Sequence, residues 1–183
     1  MRLGAIILTG GISSRMGADK ARLTWAGRPA VERLAQIARE AGAEAAITVG
    51  GDDHGLPSVP DPEPGLGPAA AVAAGIAALG ALGMSRALVL AVDAPTLCLA
   101  DLAPLLSAPS PGAAYAGLHL PFVTDLAAMT SDGELGGALW RRLDRAGLHR
   151  LPTPLEAELR LRGANTPAER SALEAELRRR EDP

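Results

Sequence analysis

Ala5-Ile6-Ile7-Leu8-Thr9-Gly10-Gly11-Ile12-Ser13-Ser14-Arg15-Met16-Gly17-Ala18-Asp19-Lys20 decides the reading of the fold. Ala5 to Leu8 is a short apolar run with no polar alternation, halted by Thr9-Gly10-Gly11. Such a run predicts a strand buried on both faces, as in a parallel sheet covered by helices. Parallel α/β sheets place ligands at the carboxyl ends of their strands, and the segment from Thr9 to Lys20 leaves from such an end. Gly10, Gly11 and Gly17 let the backbone approach a ligand closely. Ser13 and Ser14 add hydroxyl donors, and Arg15 and Lys20 add two cations. Amides, hydroxyls and fixed positive charge together describe a polyphosphate cradle. Two better-known phosphate loops do not match. Lys20 stands between Asp19 and Ala21 rather than in Gly-Lys-Ser/Thr, and the Gly-x-Gly-x-x-Gly spacing is absent. A surface turn with two solvated cations is the competing reading.

Outward from this stretch the chain alternates strand and helix. After the Gly27-Arg28 turn, Pro29 stands where a helix begins, Val31, Leu34, Ala35 and Ala38 recur at helical spacing, and Gly42 closes the element. Ala45 to Val49 reads as a second strand, and Ser58-Val59 as a brief one in a Pro-rich loop between Gly55 and Pro68. Pro68 to Ala81 is an alanine-rich helix whose small residues predict close approach to a sheet. Ala87 to Val92 is the clearest buried strand, ending in Asp93-Ala94-Pro95, and Ala100 to Leu106 is helical. The fold class expected is α/β, a three-layer domain with a mostly parallel, Rossmann-like sheet and helices on both faces. The second half is less regular. Ala113 to Ala116 and Val123 to Met129 read as strands, and Glu134 to Ala146 as an amphipathic helix. Thr166-Pro167-Ala168-Glu169 fits a capping box opening the last helix, which ends in Arg178-Arg179-Arg180.

Composition narrows the function classes. The 183 residues are 48% apolar, which excludes a disordered chain and fits one domain with a real core. A net charge of −3 gives no basic surface, so nucleic acid is not an expected partner. One cysteine, Cys98, excludes an internal disulfide and a cysteine-built zinc site. The amino terminus shows no signal-peptide pattern, and the most apolar stretch, Gly67 to Leu82, is too short and Gly-rich to span a bilayer. The expectation is a soluble, cytoplasmic protein without membrane contact.

Asp93 follows a buried strand at its carboxyl end and is expected to share a crevice with the first loop. A carboxylate there suits Mg²⁺ held against nucleotide phosphates. Asp before a small residue and Pro also starts turns, so a capping role is the other reading. Asp61, in Asp61-Pro62-Glu63-Pro64-Gly65, fits both a ligand contact and a solvated turn. His54, His119 and His149 share no ligand spacing, Ser13 and Ser14 have no adjacent base, and Cys98 reads as a small apolar residue.

The string Leu8-Thr9-Gly10-Gly11-x-Ser13-Ser14-Arg15-Met16-Gly17-x-Asp19-Lys20 resembles the signature loop of the MobA-like nucleotidyltransferases, and their guanylyl-transferring branch most closely. Thr9 stands where the family has alanine. Further on, Trp25-x-Gly27-Arg28-Pro29, then Asp61 with Pro64-Gly65-Leu66-Gly67-Pro68, then Val92-Asp93-Ala94-Pro95, and finally Asn165-Thr166-Pro167 are similar to family segments in the same order. The resemblance covers nearly the whole chain and implies a nucleotide-diphospho-sugar transferase-like fold. It implies one domain over 1–183, with a nucleotide-binding half over 1–107 and an acceptor-binding half over 108–183. It implies transfer of GMP from GTP to the phosphate of molybdopterin, the organic part of the molybdenum cofactor, with pyrophosphate leaving and Mg²⁺ as cofactor. Nucleotide binding would fall to Leu8, Thr9, Gly10, Gly11, Ser13, Arg15, Lys20, Gly50, Asp61 and Asp93. Arg15, Lys20 and Asp93 would be catalytic, with Asp93 also holding the metal, and Asn165 would bind the acceptor. Molybdoenzymes or their chaperones would receive the product.

The sequence departs from the family in places. Thr48-Val49-Gly50-Gly51 lacks the asparagine that relatives offer to the base, leaving only backbone there. His119-Leu120-Pro121-Phe122 replaces a His-Pro pair, and the acid after Asn-Thr-Pro is shifted to Glu169. Cytidylyl transfer to the same cofactor, nucleotidyl transfer to another phosphorylated acceptor, and a non-catalytic GTP-binding regulatory module are the alternatives.

Overall fold

In the computed structural model, residues 1–10, 20–51, 54–61, 67–129, 138–164 and 166–181 are described. Strand β1 (Leu3–Leu8) lies inside a seven-stranded sheet, third from one edge. It is buried on both faces because its alternate residues enter two separate cores. Ala5 and Ile7 enter one with Val31, Leu34, Ala35 and Ala38 of helix α1 (Ala30–Glu40). Ile6 and Leu8 enter the other with Val72, Ile76 and Leu79 of helix α2 (Pro68–Ala81). Each fully buried Ile or Leu stabilises the fold by about 1.5–3 kcal/mol, which is why an unbroken apolar run specifies a central strand.

Between β1 and α1 lie a 3₁₀ turn (Lys20–Arg22) and a short hairpin of β2 (Thr24–Trp25) and β3 (Arg28–Pro29). Strand β4 (Ala45–Val49) pairs in parallel with β1, and β5 (Ser58–Val59) extends that edge. After α2, β6 (Arg86–Ala91) returns to the opposite side of β1, also in parallel. Helix α2 carries no charged residue and approaches the sheet closely. A Cβ at Gly75 would lie 2.8 Å from Ile6 Cδ1 and one at Gly4 2.7 Å from Leu79 Cδ2.

The second half continues with α3 (Leu99–Leu106), β7 (Gly112–Tyr115), β8 (Phe122–Asp125) and α4 (Leu126–Met129). It ends with α5 (Leu139–Arg145), β9 (His149–Leu151), α6 (Glu158–Arg162) and α7 (Pro167–Glu181). The sheet order is β5-β4-β1-β6-β8-β7-β9. Among the described residues only β8 runs against its neighbours in this sheet, pairing antiparallel with both β6 and β7, while β7 and β9 are parallel. The expected three-layer α/β class with a mostly parallel sheet is therefore the observed one.

Two expectations need correction. The strand read over Val123 to Met129 stops at Asp125, and the chain turns into α4. The register explains the stop: Asp125 stands opposite Arg86, the first residue of β6, so the partner strand ends there. The Asp125 carboxylate also accepts from Arg86 Nη1 at 3.3 Å. The helix read from Glu134 starts, among the described residues, at Leu139. Strand β9 and helix α6 have no counterpart in the sequence reading.

Helix α7 opens as expected. Thr166 Oγ1 accepts from the Glu169 backbone N–H at 3.2 Å, and the Glu169 carboxylate accepts from the Thr166 N–H at 2.9 Å. It packs back onto the first half, where Leu173 and Leu177 share a third small core with Trp25 and Ala30. Arg170 lies over the Trp25 ring at 5.1 Å. Among the described residues, no helix is long and apolar enough to cross a membrane.

Candidate functional site

The chain runs from β1 to β4 on one side and comes back to β6 on the other, so the sheet order reverses at β1. The carboxyl ends are level, with Leu8 opposite both Val49 and Ala91. Such an edge, where the order of strands reverses, is the place where open α/β sheets take ligands.

Leu8 is the buried last residue of β1. Thr9 is buried beside it, and its hydroxyl donates to the carbonyl of Gly50 and lies 3.2 Å from that of Val49, while its backbone N–H donates to Val49 O at 3.0 Å. The hydroxyl at position 9 thus ties the end of β1 to the turn after β4. Gly10 and Gly50 are pressed together backbone to backbone. A Cβ at Gly50 would sit 2.8 Å from Gly10 Cα, and the residue has φ +78°. No side chain fits at position 50 without strain. Asp61 closes the same corner, its Oδ2 lying 3.5 Å from where a Gly10 Cβ would be.

Lys20 opens the 3₁₀ turn. Its neighbour Ala21 is fully buried in the α1 core, and Leu23 O accepts from the Ala30 N–H at 3.0 Å. The turn is thereby tied to the amino end of α1, at the carboxyl edge of the sheet. The Lys20 side chain is half-buried and has no hydrogen bond or ion pair among the described residues. Gly11, Ser13, Arg15 and Asn165 lie outside the described residues.

Asp93 stands two residues beyond β6, exposed at the same edge. Val92, just before it, donates to Leu8 O at 3.2 Å, so its segment starts beside the loop leaving β1. Its carboxylate caps no turn and meets no cation among the described residues. Among the described residues no group of three or more His, Cys, Asp or Glu forms a metal cage. A single exposed carboxylate fits Mg²⁺, which commonly takes one or two protein carboxylates, substrate phosphates and waters.

Two features of this edge escape sequence reading. Gly163, the residue after α6, packs on the Asp93 backbone: a Cβ there would lie 2.1 Å from Asp93 O. Its φ of +77° is the left-handed conformation that glycine tolerates. The segment preceding Asn165 is thus brought against Asp93 from the far end of the chain. Buried charges brace the same region. Arg33, 7% exposed, donates to Trp25 O at 3.3 Å and Pro95 O at 3.4 Å, and pairs with Glu181. Asp101, 4% exposed, accepts both arms of the Arg160 fork at 2.7 and 3.0 Å. Burial alone would raise the Asp101 pKa. The Arg160 fork and the Cys98 N–H outweigh burial and hold it below the usual carboxylate range. The available sequence signal was a charged residue within an apolar helix, as in Leu99-Ala100-Asp101-Leu102.

Residues 5–143 match the MobA-like NTP transferase domain family. The chain belongs to that family. Among curated members, the molybdenum cofactor guanylyltransferase of Xanthomonas euvesicatoria pv. vesicatoria (strain 85-10) is 40% identical over 102 residues, covering 56% of this chain and 52% of that protein. The chain thus spans about half the length of the curated relatives it matches. Two solved structures share the fold almost end to end. A nucleotidyl transferase from Methanothermobacter thermautotroptrophicus superposes with TM-score 0.72 at 15% identity, over 98% of this chain and 99% of that one. The molybdopterin-guanine dinucleotide biosynthesis protein A of Archaeoglobus fulgidus gives TM-score 0.71 at 16% identity, over 96% and 99%.

Proposed function

We propose that this chain transfers GMP from GTP to the phosphate of molybdopterin, forming the guanine dinucleotide form of the molybdenum cofactor and releasing pyrophosphate. The observation that carries the reading is the exposed Asp93 carboxylate, which meets no cation among the described residues, at the carboxyl edge where β1 and β6 end level. The curated relatives, several named molybdenum cofactor guanylyltransferase, support it. In this reading residues 1–107 hold the nucleotide and 108–183 the acceptor, and the enzyme works in the cytoplasm. Molybdoenzymes or their chaperones take the product.

An oxygen of the acceptor phosphate attacks the α-phosphorus of GTP. The bond from that phosphorus to the bridging oxygen breaks, and the electron pair leaves with pyrophosphate. The protein forms no covalent bond, so positioning and charge neutralisation carry the rate. Asp93 would hold Mg²⁺, which would supply positive charge against the phosphates, and Lys20 and Arg15 would neutralise the triphosphate. Leu8, Thr9, Gly10, Gly11, Ser13, Gly50 and Asp61 would bind the nucleotide, and Asn165 the acceptor.

Pyrophosphate release with molybdopterin and Mg²⁺ tests the proposal, comparing GTP with CTP, and molybdopterin with sugar phosphates. Turnover is expected for GTP with molybdopterin alone. Preference for CTP or for a sugar phosphate would reassign the substrate, and GTP binding without turnover would make the chain a binding module. Lys20→Ala is expected to lower turnover by about 10²–10³-fold with an unchanged melting temperature. Wild-type rates in that variant would remove Lys20 from the site.

A further inference from the structure

Resting on the nucleotidyl-transfer reading above, we propose that Arg160 is a positioning residue for that reaction: through Asp101 and α6 it holds the segment that carries Asp93. Residues 93–98 contain no helix or strand, so their course is set by what touches them. At the upstream end Gly163 bears on the Asp93 backbone. Midway, Arg33 and Arg180 donate to the carbonyls of Pro95 and Thr96, at 3.4 and 2.8 Å. At the downstream end the Cys98 N–H donates to Asp101 Oδ2 at 3.0 Å, starting α3.

Arg160 joins these ends. Its Nε and Nη2 grip both oxygens of Asp101, and its Nη1 donates to Glu176 of α7 and to Glu156 O at 2.9 Å. It lies three residues before Gly163. One guanidinium therefore anchors the downstream end directly and the upstream end through the short helix it sits on. Helix α6 has five residues, too few to hold its own place in water. A bidentate fork specifies one relative position of its two partners, whereas a lysine ammonium specifies none. Neither Arg160 nor Asp101 belongs to the candidate ligand set, so the effect passes through the backbone of 93–98.

Arg160→Lys in the full chain separates positioning from simple stability. The variant is expected to unfold cooperatively and to bind GTP in EDTA with wild-type affinity. Metal-free amide exchange over 93–98 is expected to rise on the order of 10-fold while 86–91 stays protected, because local opening is independent of the core strands. Mn²⁺ binding to the GTP-bound protein, read by electron paramagnetic resonance, is expected to weaken on the order of 10-fold, as when groups behind a metal ligand are altered. Exchange and Mn²⁺ binding equal to wild type overturn the proposal, as does an equal loss of metal-free GTP binding. If Arg160→Lys does not fold, Glu176→Gln changes only the outer arm. It is expected to give both effects at smaller size, and neither effect in it overturns the proposal too. If the wild type turns over no nucleotide, the functional reading fails, while the metal-free exchange experiment still judges the clamp.

Discussion

The sheet core under β1 and β6 and the junction where α6 and α7 close over residues 93–98 are held by opposite means. Around β1 the contacts are apolar and tight, with Ile6 against Gly75 and Leu79 against Gly4. At the junction, Arg33, Asp101 and Arg160 are withdrawn from water and satisfied by carbonyls and carboxylates. Apolar burial has no direction, so many arrangements of similar volume satisfy it. A buried ion pair costs desolvation and is tolerable only in one geometry. The contrast matches the task proposed for each region. The sheet need only be rigid, whereas the segment carrying Asp93 must stand in one place.

The largest test of this contrast is at the junction. Asp101→Ala leaves Arg160 without its buried partner and is expected to cost about 3–5 kcal/mol of stability, measured by denaturant unfolding. Its pH dependence sharpens the point. The folded pKa of Asp101 lies below the unfolded value, so its stabilisation is complete above the unfolded pKa. It is lost as pH falls from about 4 through the depressed folded value. Asp101→Asn should therefore approach wild-type stability as the pH is lowered through that window; a constant gap would deny the charge its role.

In the sheet core, the equivalent experiment is overpacking. Gly75→Val drives a branched side chain into Ile6 and is expected to cost about 1–3 kcal/mol, with no change in pH dependence. A shift in acid stability would show that core and junction are not independent. The smallest effect is expected at the α7 cap. Thr166→Ala removes the acceptor for the Glu169 N–H and should lower stability by about 1 kcal/mol, read as a modest drop in melting temperature.

The two regions also differ in how far they could be read in advance. Strands β1, β4, β5 and β6 and helices α1 and α2 follow from apolar runs, helical spacing and Pro or Gly at their ends. There the local pattern and the buried environment agree. The α7 cap was legible for the same reason, since all its groups lie within four residues. The stop of β8 at Asp125 was not, because it is set by where β6 begins, 39 residues away. Thr9 and Asp93 were placed as residues ending strands. That Thr9 bonds the carbonyl of Gly50, and that Gly50 admits no side chain, depends on the β1–β4 register.

By itself, then, the order of residues determined a parallel α/β core, a glycine-rich stretch with two cations after its first strand, and an aspartate after a buried strand. Burial of apolar runs and local turn chemistry are short-range causes, visible within a window of residues. Only the folded chain decided that Gly163 presses on Asp93 and that Arg160 grips Asp101 across 59 positions. Such contacts are directional, and their geometry exists only once the sheet and helices have brought distant segments together.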